Sequence, residues 1–147
     1  ESIRQTRALA HGLVPVGDDP DALRIALAGL AESTNSLGRL RCRLECPELV
    51  PPLNHEVAGH LYRIAQEAVN NALKHAGAGE VVIRLVPKGG ALQLQVADDG
   101  KGLPAKQNAG IGLGVMQHRA SVIGAELVLT SKPGSGVAVT CTLPLTP

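Results

Sequence analysis

A chain of 147 residues and 15.2 kDa is the length of one domain, or of one domain with a short attached piece. With 44% hydrophobic and 18% charged residues it can build one sizeable core, which excludes disorder over most of its length; Phe and Trp are absent and Tyr62 is the sole aromatic, so aliphatic side chains must fill that core and no stacking platform for single-stranded nucleic acid exists. Fourteen Lys+Arg against thirteen Asp+Glu leave a formal charge of +1 with no basic block, which argues against nucleic acid as a partner, and every apolar run falls far short of the roughly 20 residues that cross a bilayer.

Ile3, Leu9 and Leu13 recur near helical spacing and predict a helix over residues 1–14, stopped by Pro15 and Gly17. Asp19 is expected to cap a second helix with Pro20 in its first turn; Leu23, Leu27, Leu30 and Ala31 give it an apolar stripe that fades by Leu37 and Gly38. Over residues 40–46 the pattern changes to alternation. Leu40, Cys42, Leu44 and Cys46 fall on one face and Arg41, Arg43 and Glu45 on the other, which predicts a strand. Pro47, Pro51 and Pro52 stiffen the connection to Asn54, the expected cap of a long helix that runs to about Ala76 and stops at Gly77 and Gly79. A hairpin follows, with strands over 81–86 and 92–96 and a turn at Pro87-Lys88-Gly89-Gly90. After the glycine-rich stretch 98–114 come a helix over roughly 112–123, ended by Gly124, and a closing hairpin with strands over 126–131 and 137–143. Helices followed by hairpins, without βαβ alternation, predict an α+β fold: a two-layer sandwich whose mostly antiparallel, mixed sheet is covered on one face by helices. Cys42, Cys46 and Cys141 are odd in number and lack metal-ligand spacing, and read as small buried hydrophobes in a reducing compartment. No signal peptide is visible, and a chain opening on Glu1 without Met looks like an excised fragment.

The long helix carries two stripes. Val57, Leu61, Ile64, Ala65, Ala68, Val69 and Ala72 point near one direction at about 100° per residue. Glu67, Asn71, Lys74 and His75 share a second direction, roughly a quarter turn away, and so would line the rim of whatever the helix packs against. A carboxylate, an amide oxygen and an ammonium there suit orienting a nucleophile, ligating a hard cation and neutralising phosphate. The competing reading is a solvated face with favourable last-turn cations. The pair Asn70-Asn71, poor in a helix interior, weighs against it.

Two glycine clusters follow: Asp98-Asp99-Gly100-Lys101-Gly102 after a strand, and Gly110-Ile111-Gly112-Leu113-Gly114 opening a helix. Closely spaced glycines let backbone approach a ligand, free N–H groups at a helix start favour phosphate, and an acid at a strand end accepts from an exocyclic amine such as that of adenine. Ordinary turns use the same pairs. Other nucleotide and metal motifs fail: Lys101 and Leu103 break a calcium loop, Val115 stands where a dinucleotide fingerprint needs its third glycine, and no Walker A loop is present. His55 and His60 are five apart, about 140° around a helix, so they do not form a zinc-protease pair.

Together and in this order, the segments resemble the catalytic, ATP-binding domain of sensor histidine kinases, in the GHKL (Bergerat-fold) superfamily shared with gyrase, mismatch-repair proteins and heat-shock chaperones. Residues 61–75 are similar to that family's N box, residues 98–104 to its first glycine box and residues 110–119 to its second. The resemblance implies that Asn71 ligates the Mg²⁺ bridging the phosphates of ATP, that Glu67 acts as general base or water orienter, and that Lys74 and His75 face the phosphates. It further implies that Asp98 binds the adenine amino group, that Gly100 and Gly102 give access to the base, and that Gly110, Gly112 and Gly114 hinge a lid over residues 103–111. Val137 stands where many relatives have Thr, which puts a hydroxyl contact from that position in doubt.

The short lid, with Met116 and Arg119 after the second box, looks like the subfamily whose response regulators carry helix-turn-helix outputs. Residues 1–16 resemble the end of its second dimerisation helix, leaving residues 17–147 as the catalytic domain. His11 lacks the context of the phosphoacceptor box, so the acceptor is expected upstream of Glu1. The implied activity is transfer of the γ-phosphoryl of ATP to a histidine of the dimerisation domain and then to a response-regulator aspartate, by a homodimer whose catalytic domain is cytoplasmic and whose full-length form is open to membrane anchoring. The alternatives are a serine kinase acting on an anti-anti-sigma protein and a catalytically silent nucleotide-sensing scaffold.

Overall fold

The structure is a computed structural model that describes residues 21–76, 79–100, 112–132 and 136–145. The expected helix over 1–14, the start at Asp19 and Pro20, and the lid segment lie outside the described residues. Helix α1 (Ala22–Ser36) buries Leu23, Ala26, Leu27, Leu30 and Ala31 at helical spacing. Asp21 stands at its N-cap position, two residues later than the expected cap, and its carboxylate pairs with Arg24 at 3.0 Å rather than capping a backbone N–H. Strand β1 (Arg41–Glu45) follows Gly38, whose φ of 72° ends the helix. Asn54 caps α2 (His55–Asn71) as expected, its side-chain oxygen accepting from the N–H groups of Glu56 at 2.7 Å and Val57 at 3.4 Å.

The helix does not stay regular to Ala76. Residues Ala72–Ala76 form a π-helical turn, in which i→i+5 bonding replaces i→i+4 and rotates the end of the row. Strands β2 (Glu80–Lys88) and β3 (Ala91–Asp98) form the first hairpin, α3 spans Leu113–Val122, and β4 (Glu126–Lys132) and β5 (Gly136–Pro144) close the chain. The first hairpin turns on Gly89 and Gly90 alone, with φ of 58° and 79°. Pro87, expected in the turn, pairs with Leu92 inside the strand; β1 pairs with β2 only as far as Arg84, so the outer edge at Pro87 has no ladder bond to lose.

The five strands run in the order β1-β2-β3-β5-β4, with β1 parallel to β2 and the other pairs antiparallel. One face packs under the helices. Val81, Ile83 and Leu85, Leu92, Leu94 and Val96, and Val139, Cys141 and Leu143 alternate into a core completed by Leu27, Leu61, Ile64, Val69 and Met116. The core is therefore aliphatic. Cys42 and Cys141 are buried within it, their thiols pushed up to about 11 by desolvation, whereas Cys46 is only half-buried, contrary to expectation. On the open face a single register row carries a polar chain: Glu45 accepts from Arg84 at 2.8 Å, Arg84 donates to Gln95 at 3.0 Å, and Gln95 donates to Thr140 at 3.2 Å. No helix among the described residues is long and apolar enough to cross a membrane.

Candidate nucleotide-binding site

Glu67 and Asn71 lie one turn apart on α2 and are both half-buried, while Ala68, Val69 and Ala72 beside them are buried. Two polar side chains thus sit at the margin of the packed face, as the helical wheel predicts. Lys74 is exposed within the π-helical turn, and the row Glu67–Asn71 is not continued straight through it. His75 belongs to that turn by its backbone; its side chain lies outside the description.

Asp98 ends β3, and alternation along the strand turns it to the helix side with Leu94 and Val96. Its Oδ1 accepts from the N–H of Gly100 at 2.8 Å and of Val137 at 3.3 Å. Burial pushes this carboxyl above the usual carboxylate range, against the two N–H bonds. Asp99 behaves in the opposite way. Its Oδ1 accepts from Glu80 N–H at 3.0 Å and Gly79 N–H at 2.8 Å, and these bonds hold its carboxyl below the usual range. Neighbouring acids therefore have different work: Asp98 is half-buried beside the glycines, and Asp99 ties the end of β3 to the start of β2. The contact from position 137 is made by backbone, so the absence of a hydroxyl on Val137 does not remove it.

The glycine segments meet these acids directly. Gly112 (φ 78°) opens α3, and a Cβ there would land on the Glu67 carboxylate. Gly136 (φ 86°) opens β5, and a Cβ there would collide with the main-chain carbonyl of Asp98. Gly100 is buried, and Gly114 faces open space. Gly102 and Gly110 lie outside the described residues. Because Asp99 holds Gly79 and Glu80, the chain leaving α2 returns to the end of β3, so the C-terminal end of α2, the start of α3 and the end of β3 occupy one edge of the domain. A depression of about 190 Å³ is lined by Asp98, Gly136 and Val137 together with Ala97, Ala138 and Thr130, the last three extending it toward the open face.

The two histidines of α2 separate. His55 is exposed at the first helical position, and His60 Nδ1 lies 3.3 Å from the Arg119 guanidinium, joining α2 to α3. No cluster of three or more His, Cys, Asp or Glu among the described residues is arranged to hold a metal. Sequence reasoning missed three contributors: Asp99, the Val137 N–H, and Arg39, which donates to the Leu73 carbonyl in the π-helical turn at 2.9 Å. The only local signals for them were a doubled acid and an arginine after a helix-ending glycine.

Residues 56–147 match the family described as histidine kinase-, DNA gyrase B-, and HSP90-like ATPase, more than half of the chain, and the chain belongs to that family. It is similar to the sensor histidine kinase LiaS of Bacillus subtilis strain 168, 30% identical over all of this chain and 41% of that protein. The sensor protein VraS of Staphylococcus aureus strain COL is 31% identical over 99% of this chain and 42% of its own length. Among solved structures, the histidine kinase domain of the blue-light activated histidine kinase EL346 from Erythrobacter litoralis superposes with a TM-score of 0.71 and 27% identity, over 84% of this chain and 61% of that one. The chain thus carries the domain of that ATPase family, and it spans about a third to two fifths of the length of the curated relatives it matches.

Proposed function

We propose that this domain holds ATP between Asp98 and Asn71 and transfers its γ-phosphoryl to a histidine of a dimerisation domain, from which it passes to a response-regulator aspartate. The observation that carries the reading is the convergence of segments far apart in sequence: Glu67 against Gly112, and Asp98 against Val137 and Gly136. Asp98 accepts from the adenine amino group, and Gly100 and Gly102 let backbone approach the base. Lys74 and His75 face the phosphates, and Gly110, Gly112 and Gly114 hinge the segment that covers them. Glu67 takes or orients the proton of the attacking imidazole as the bond from phosphorus to the bridging oxygen of ADP breaks and the bond to nitrogen forms.

Oxygen donors on a half-buried rim, the Asn71 amide beside the Glu67 carboxylate, fit a hard divalent cation, and Asn71 is the residue that would hold Mg²⁺. Bound there, the ion would supply neutralisation of phosphate charge. The partners are the chain's own dimerisation domain, of which residues 1–16 are the end, a second copy of the full protein, and a response regulator of the helix-turn-helix class. Residues 17–147 form the catalytic unit, on the cytoplasmic side of any membrane anchor.

A thermal shift with ATP, and not with GTP, that grows on adding magnesium is the expected result. Asn71→Ala is expected to abolish the magnesium-dependent part and Asp98→Ala to weaken adenine nucleotides; unchanged affinity for both variants in calorimetry would overturn the site assignment.

A further inference from the structure

The end of α2 is held by groups that no part of the proposed chemistry uses. A helix that finishes in a π-helical turn leaves carbonyls without intrahelical partners. One of them, Leu73 O, accepts from the Arg39 guanidinium at 2.9 Å, across 34 positions of sequence. Beyond the turn, the N–H groups of Gly79 and Glu80 both donate to Asp99 Oδ1, Asp99 N–H donates back to Glu80 O at 3.2 Å, and Gly79 O accepts from Arg41 N–H at 3.0 Å. The connection from α2 to β2 is therefore fastened on one side to the start of β1 and on the other to the residue next to Asp98.

We propose that Asp99 and Arg39 are positioning residues that clamp the C-terminal end of α2 and so set the separation between Asn71 and Asp98. The inference rests on the reading of those two residues as the phosphate and adenine ends of the site. Both clamp side chains are at the surface, Arg39 exposed and Asp99 with its bonds in an exposed setting, so removing either opens no cavity in the core. Their effect should appear in ligand geometry. A ligand that spans both ends suffers when one end is displaced, because a misplacement of about 1 Å is enough to cost a well-oriented site much of its advantage. Binding that depends on the Asp98 end alone does not.

The test is calorimetry of ATP binding to the 147-residue chain with magnesium and with chelator, together with melting temperature. Asp99→Ala is expected to lose about tenfold of the magnesium-dependent gain in affinity, the worth of a charge-assisted bond, while magnesium-free binding persists. Asp99→Asn, whose neutral amide oxygen accepts the same two N–H bonds more weakly than a carboxylate, is expected to restore part of the gain. Arg39→Ala is expected to lose less, since one bond is removed, and it carries the test should Asp99→Ala fail to fold. Full retention of the gain in Asp99→Ala, a parallel fall of both affinities with melting temperature, or failure of Asp99→Asn to rescue would each overturn the clamp. Asn71→Ala is measured alongside: loss there with none at Asp99 overturns the clamp alone, and retention at both overturns the site reading beneath it.

Discussion

The two ends of α2 are finished in different ways. At its start, Asn54 satisfies the N–H groups of Glu56 and Val57 two and three residues ahead, a cap written in four consecutive residues. At its far end the backbone loosens into a π-helical turn, and the partners come from Arg39 and Asp99, 34 and about 20 positions away. The capped end supports only the helix. The other end carries Asn71 and Lys74 and touches, through Glu67, the glycine that opens α3. A site whose parts must approach a ligand from several directions cannot be closed by local capping, and its backbone is completed by the tertiary structure.

That contrast can be broken most severely at Gly112. Gly112→Ala is expected to lose about 1–2 kcal/mol from the left-handed backbone alone, and more because its Cβ would meet the Glu67 carboxylate. Chemical denaturation of the single and double variants with Glu67→Ala should show coupling of about 1 kcal/mol or more, since removing the carboxylate removes the collision. Strict additivity would show that the two groups do not touch.

A smaller effect is expected at the opposite end. Asn54→Ala should destabilise by about 1 kcal/mol, as a lost helix cap does, with ATP affinity unchanged. A fall in affinity equal to that of the site variants would erase the distinction between the two ends.

The mildest test is pH. Asp98 has a raised carboxyl, so its protonation begins above the usual carboxylate range as pH falls; being favoured in the folded state, that protonation adds stability toward acid and is lost as pH rises through the raised value. Asp99 is depressed, so its contribution is present above the usual range and is lost only as pH falls through its lower value. In mildly acidic buffer ATP affinity should therefore decline before stability does, and Asp98→Asn should flatten that decline. Stability falling first would reverse the order.

The fold was largely legible. Alternation over residues 40–46, the aliphatic stripe of α2 and the Asn54 cap are short-range signals, and β1, the buried face of the helix and its first turn follow them. The deviations have physical causes. Pro87 reads as a turn residue but tolerates a strand where β2 has no outer partner, and α1 begins at Ala22 with Asp21 paired to Arg24.

The candidate site was legible in its residue types, because a carboxylate and an amide one turn apart share a helix edge whatever surrounds them. Sequence alone thus determined the aliphatic core, the alternation of its strands and which polar groups share a rim. Tertiary structure decided that Glu67 lies against Gly112, that Asp98 rather than Asp99 is the half-buried acid, and that Arg39 meets Leu73, since each requires register and packing among elements tens of residues apart, which no local periodicity encodes.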